Sequence, residues 1–157
     1  MKENNDGKEV PAVRKIVYEK EIILDATVEN IAVATDFLEK CLSETNCPKQ
    51  VRVQMNIAMD ELLGNIVRYA YGEADGQAVI RFELEKHPEA VCVIFIDRGI
   101  PYNPLEKKDP DITLSAKERK VGGLGIYIVR QFMDEMEYER NDGQNRLLIR
   151  KYTGKPA

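Results

Sequence analysis

Residues 90–96 read AVCVIFI, the longest uninterrupted apolar run in the chain. It is far too short to cross a bilayer. A strand points successive side chains to opposite faces, so a run apolar at both odd and even positions needs cover on both sides. Residues 91–96 therefore read as the central strand of a sheet, and the rest of the chain has to supply its neighbours and its cover. Residues 16–24 and 78–85 alternate as strands, the second with Ile80, Phe82 and Leu84 on one face. Residues 138–140 and 146–152 form a closing hairpin around Asn141-Asp142-Gly143, a turn-forming sequence.

The cover is helical. Asp25 to Thr27 supply polar caps for a helix running to about Thr45, with Ile31, Ala34, Leu38 and Leu42 along one side. Asn46-Cys47-Pro48 breaks it, since proline removes a donor and restricts its predecessor. A second helix spans 49–71, where Val51, Met55, Ala58, Leu62, Ile66 and Tyr69 fall on one stripe. Residues 98–121 are polar and charged without core periodicity, the signature of a lid or binding loop. Gly122-Gly123-Leu124-Gly125 then opens a third helix, read through about Met136. The order strand, helix, helix, two strands, lid, helix, two strands gives an α+β fold with helices on one face of a mainly antiparallel sheet. Residues 1–13 read as a flexible tail, and residues 14–157 as a single domain.

Composition narrows the function. With 23 Lys and Arg against 27 Asp and Glu, the 157-residue chain has a net charge of -4, which argues against nucleic acid held by bulk electrostatics. The polar N-terminus, MKENNDGKEV, lacks the apolar centre of a signal peptide. Three cysteines without a CxxC fit a reduced, cytoplasmic protein with no membrane partner. The single histidine, His87, falls in a turn between two strands, which leaves a zinc cluster or a Ser-His-Asp triad little to build on.

Three segments carry polar chemistry. In Asp60-Glu61-Leu62-Leu63-Gly64-Asn65, Glu61 and Asn65 share a helix face at the edge of the apolar stripe. A carboxylate there can act as a general base and an amide oxygen can bind magnesium; taken alone, the segment fits a solvated helix flank better. In Asp97-Arg98-Gly99-Ile100-Pro101, an Asp ends the central strand, where it can accept a hydrogen bond from an exocyclic amine, and Gly99 permits close approach. An ordinary strand-ending turn has the same composition. In the third segment, Gly122, Gly123 and Gly125 around Leu124 expose backbone N–H groups at a helix start, a natural phosphate site. It matches neither a Walker loop nor a GxGxxG turn, and a hinge or a close helix contact would use the same glycines.

Taken in order, an E-x-x-x-N helix, a strand ending D-x-G, a lid and a glycine-rich helix start, the chain resembles the GHKL ATP-binding superfamily across about residues 19–152. Asp97-Arg98-Gly99-Ile100-Pro101-Tyr102-Asn103-Pro104 and Gly122-Gly123-Leu124-Gly125-Ile126-Tyr127-Ile128-Val129-Arg130, with Met133-Asp134-Glu135 and Tyr138, are similar to the bacterial anti-sigma-factor serine/threonine kinases. The resemblance implies a Bergerat-type two-layer sandwich on a mainly antiparallel mixed sheet. It implies ATP and Mg2+ as cofactors, Glu61 as the catalytic base and Asn65 as the magnesium ligand. Asp97 would receive the adenine amine with Gly99 beneath the base, and Pro101 belongs to the same loop. Gly122, Gly123, Leu124 and Gly125 would line the phosphates. Tyr69 stands where many relatives carry a histidine, and Pro101 where most of the superfamily carries a second glycine. Arg119 and Lys120 precede the glycines and are candidates for the terminal phosphate. The function implied is phosphorylation of an anti-sigma-antagonist protein together with sequestration of a sigma factor, and a homodimer is left open. A non-catalytic ATP-binding switch is the alternative. The catalytic domain of a histidine kinase is disfavoured because no dimerisation helix with a phosphoacceptor histidine precedes the domain.

Overall fold

The computed structural model describes residues 14–106, 108 and 124–154. The expected tail, most of the expected lid with Arg119 and Lys120, and Gly122 and Gly123 lie outside the described residues. The chain runs β1 (Lys15–Asp25), α1 (Glu29–Ser43), α2 (Lys49–Asn65), a π-helical turn (Ile66–Ala70), β2 (Gln77–Lys86), β3 (Ala90–Asp97), a short 3-10 turn (Pro104–Glu106), α3 (Leu124–Phe132), β4 (Glu135–Asn141) and β5 (Gln144–Tyr152). The strands form one sheet in the order β1-β2-β3-β5-β4, with β3 at its centre. The fold is α+β as expected, and each of the four strand pairings is antiparallel rather than mixed.

The helices pack on the sheet face that carries Ile80 and Phe82 of β2, Val93 and Phe95 of β3, and Leu147 and Ile149 of β5. Against it lie Leu38 and Leu42 of α1, Met55, Met59 and Leu62 of α2, and Ile126 and Val129 of α3. The other face of the centre is buried too. Cys92, Ile94 and Leu148 are buried there beside Glu85 and Arg150, whose guanidinium is held by Glu85 at 3.1 and 3.2 Å and by Glu135. Burial opposes that positive charge, but the bonds to the two carboxylates outweigh it and the Arg150 pKa is raised. The three cysteines are free, and burial pushes the Cys92 thiol up to about 12.

Several boundaries moved for physical reasons. The expected polar caps of α1 are not used: the helix begins after Val28 with no side-chain cap, and the Asn30 amide donates instead to the Asp25 carbonyl. The second helix keeps winding to Ala70, but its last turn widens to a π-helix, a form often found where a helix meets a functional site. The third helix stops at Phe132, because the Asp134 N–H turns to the Arg150 carbonyl and Glu135 joins the sheet beside Arg150. The closing hairpin turns on Asp142 and Gly143, both with positive φ (50° and 74°), as a two-residue turn of the right hand requires. His87 lies in the turn between β2 and β3.

Candidate nucleotide site

The elements converge at one end of the sheet, where β3 ends, the π-helical turn closes α2, and α3 begins. Two glycines bring them together. A Cβ added to Gly125 would overlap Glu61 Oε2, so the start of α3 lies directly on the Glu61 carboxylate. A Cβ added to Gly99 would overlap the Ala70 carbonyl oxygen, which also accepts the Ile100 N–H at 2.9 Å. The close approach that Gly99 permits is thus to the end of the second helix. A side chain at Gly99 would push the loop away from the end of the second helix, whereas one at Gly125 would displace the Glu61 carboxylate.

That second contact also corrects the lid expectation at its start. Residues 98–106 are docked: the Tyr71 hydroxyl accepts the Arg98 N–H at 2.9 Å, Arg140 donates to the Gly99 carbonyl at 2.8 Å, and Leu105 packs on the core.

Asp97 is 6% exposed, and its Oδ1 accepts from the Gly99 N–H and from Asn145 Nδ2, each at 2.9 Å. Beside it lies an apolar cavity lined by Leu62, Asn65, Tyr102, Tyr138, Asn145 and Leu147, among others. Asp97 is not in that lining and reaches the cavity through Asn145. Gly99 and Pro101 border a more open cleft that shares Tyr69 and Ala70 with the cavity. Asn65 Oδ1 accepts from Arg68 Nη2 at 3.1 Å, and the Arg68 guanidinium sits 5.8 Å from the centre of the Tyr69 ring. Leu124 opens α3 and is partly exposed. Among the described residues, no group of three or more His, Cys, Asp or Glu is arranged to hold a metal ion.

Glu61, Asn65, Asp97, Gly99, Pro101, Leu124 and Gly125 therefore come to one end of the molecule. Sequence reasoning named Tyr138 only as part of the resemblance and missed Asn145 and Arg140; the three tie the loop after β3 to β4 and β5. Asn145 sits opposite Asp97 in the β3–β5 register. Its signal was there only for a reader who knew that β5, not β4, pairs with β3.

A family model described as a histidine kinase-like ATPase domain matches residues 24–151. The chain belongs to this family. It is 27% identical over 130 residues to the serine/threonine-protein kinase BtrW of Bordetella bronchiseptica, covering 83% of this chain and 91% of that protein. It is 30% identical over 102 residues to a serine-protein kinase RsbW of Bacillus cereus, a match that spans 62% of either protein. The crystal structure of the RsbU and RsbW domains of Rv1364c from Mycobacterium tuberculosis matches with a TM-score of 0.63 at 18% identity, over 89% of this chain and 34% of that one. At that identity the likeness is one of fold. The superfamily and kinase branch that the three motifs resemble are thus the ones to which this ATPase domain and its kinase-named relatives belong. No helix among the described residues is long and apolar enough to cross a membrane.

Proposed function

We propose that the chain is an ATP- and Mg2+-dependent serine/threonine protein kinase of the anti-sigma-factor type. Its substrate is an anti-sigma-antagonist protein, and in its other mode it holds a sigma factor in the cytoplasm. The observation that carries the reading is the contact between Glu61 and Gly125, which sets a carboxylate against the helix start proposed to hold the phosphates.

In this reading Asp97 selects the adenine, while Gly99 and Pro101 form the loop beneath it. The backbone N–H groups of Gly122, Gly123, Leu124 and Gly125 receive the phosphates at the positive end of α3. Asn65 Oδ1 is a hard oxygen donor suited to Mg2+, once it leaves Arg68. Bound there, the metal would neutralise charge on the phosphates. Glu61 orients the substrate hydroxyl and accepts its proton while the hydroxyl oxygen bonds to the terminal phosphorus. The bond from that phosphorus to the bridging oxygen breaks, and ADP departs with the electron pair.

The test is incubation of the purified chain with labelled ATP, Mg2+ and a candidate antagonist protein, reading phosphoserine or phosphothreonine. Glu61→Gln keeps the size and removes the base. It should lower transfer by roughly two to four orders of magnitude with ATP affinity within a few-fold. Chelating Mg2+ should weaken ATP, and Asn65→Ala should abolish that difference. A wild type that binds ATP and the antagonist but never transfers phosphate sinks the kinase reading and leaves a nucleotide-dependent switch.

A further inference from the structure

We propose that the open cleft bordered by the loop after β3 is a second binding site, which takes an acidic segment of a partner protein. Its wall includes Tyr69, Tyr71, Arg98, Ile100, Pro101 and Arg140. It shares only Tyr69 and Ala70 with the apolar cavity. Of the proposed nucleotide residues, Gly99 and Pro101 border it, whereas Glu61, Asn65, Asp97 and Gly125 do not. The charged side chains of its described wall are both arginines, and no carboxylate stands among them. Neither Arg98 nor Arg140 has an ion pair among the described residues.

That is unlike the other arginines of this net acidic chain. Arg52 meets Glu39 at 3.0 Å, Arg81 meets Glu21 at 2.9 Å, and Arg150 meets Glu85 at 3.1 Å. Arg98 also borders a neighbouring cleft that Asp75 lines, yet no salt bridge joins the two. Arg140 gives one donor to the Gly99 carbonyl at 2.8 Å, which fixes the guanidinium at the cleft wall without neutralising it. The Tyr71 hydroxyl accepts the Arg98 N–H at 2.9 Å and donates to the Gln77 carbonyl. The Tyr71 ring lies on Gly76, where an added Cβ would overlap it. Both cations thus stand on a wall that is already held, so an incoming anion has little protein to order.

A guanidinium presents a planar fork of N–H donors, and a carboxylate presents two oxygens that accept them in pairs. Two like charges lining one cleft repel each other, and an anion between them relieves that repulsion. The rim favours a peptide over a bare ion. Ile100 is 60% exposed and Tyr69 is 46% exposed. An apolar residue beside the acidic one can cover them, a contact that an inorganic anion cannot make. Nucleic acid fits less well, because a net charge of -4 repels a polyanion and two arginines do not make a basic stripe.

The test is fluorescence anisotropy at low salt, without nucleotide, with two labelled peptides. One carries two glutamates around a leucine in a Gly-Ser frame; the other has glutamine in place of each glutamate. Wild type should bind the acidic peptide about tenfold more tightly than the glutamine peptide. Arg98→Gln and Arg140→Gln should each weaken the acidic peptide about three- to tenfold, and the double variant should bind the two peptides alike. Arg98→Gln removes no side-chain bond within the protein, so it reads binding apart from folding. Raising salt from about 50 mM to about 500 mM should erase most of the preference. Equal binding of the two peptides by wild type overturns the inference, as does wild-type affinity in the double variant. Inorganic phosphate that displaces the peptide with an inhibition constant equal to the peptide Kd also overturns it, by assigning the cleft to a bare anion. Direct competition by ATP with Mg2+ overturns it as well, since the cleft would then belong to the nucleotide site. The inference does not depend on the kinase reading: a protein that binds the acidic peptide but no ATP keeps the first and loses the second, and one that binds ATP but not the peptide does the reverse.

Discussion

β3 and β5 carry two buried polar networks, one on each face, and they are built differently. On the helix-facing side, Asp97 and Asn145 are bound to each other and to loop backbone, and Asp97 Oδ2 has no hydrogen bond among the described residues. On the back, Arg150 is 2% exposed in its side chain and is gripped through Nε and Nη2 by Glu85 and through Nη1 by Glu135. There the guanidinium has all three nitrogens engaged. In the proposed reading the first network keeps an acceptor for the adenine amine. The second is consumed by the fold. Burial and charge alone do not distinguish a site from a staple; unspent hydrogen-bonding capacity does.

The largest effect expected of this contrast is on the back of the sheet. Arg150→Ala leaves the Glu85 carboxylate, 5% exposed, without its partner. Breaking a buried pair from one side costs about 3–5 kcal/mol. Denaturant unfolding should show that loss, while ATP affinity in the folded fraction stays at the wild-type value. An Arg150→Ala protein of wild-type stability would mean that the back network is not a staple, and the contrast would fail.

Next in size is the converse change. Asp97→Asn keeps an oxygen at Oδ1 for Gly99 and Asn145 but presents an amide nitrogen where Oδ2 stood. ATP affinity should fall by about 10- to 100-fold, the worth of a hydrogen bond to a charged group. The unfolding midpoint should move far less than in Arg150→Ala. A variant that unfolds as easily as Arg150→Ala but binds ATP normally would make Asp97 a second staple.

These two networks also show what could be read in advance. Asp97 was legible because it ends the apolar run of β3 and is followed by Gly99, both local facts. Asn145 was not, since its partner lies 48 residues away in the chain and β3 pairs with β5, skipping β4 in chain order. The same holds for Glu135, read as part of the third helix until pairing with Arg150 drew it into β4. Helix periodicity located Glu61 and Asn65 on one face, but the widened turn from Ile66 to Ala70 has no local signature, and neither does the Gly99 contact with it. Periodicity reveals elements and their faces. Register and contacts across the sheet arise only when the elements pack.

The smallest effect tests the back face at a residue that neither network uses. Glu83 is 6% exposed, opposite Cys92 on β3 and Glu19 on β1. Burial raises its pKa above the ordinary carboxyl value; Glu19 and Glu85 add to the rise, while Arg81 and Arg146 oppose it. A carboxyl whose folded pKa lies above its unfolded one binds its proton more tightly when folded. Below the unfolded value, ordinarily about 4.3, both states are protonated and there is no penalty. The penalty enters as pH rises from that value to the raised folded pKa, and is complete above it. Glu83→Gln removes the charge at nearly constant size. It should therefore stabilise the fold at neutral pH by no more than about 1 kcal/mol, with the gain vanishing under acid conditions. Melting temperatures of variant and wild type across that range check it. A gain independent of pH would assign the effect to packing, and a loss at neutral pH would mean that the Glu83 carboxylate is held by Arg81 and Arg146 as Arg150 is held by Glu85.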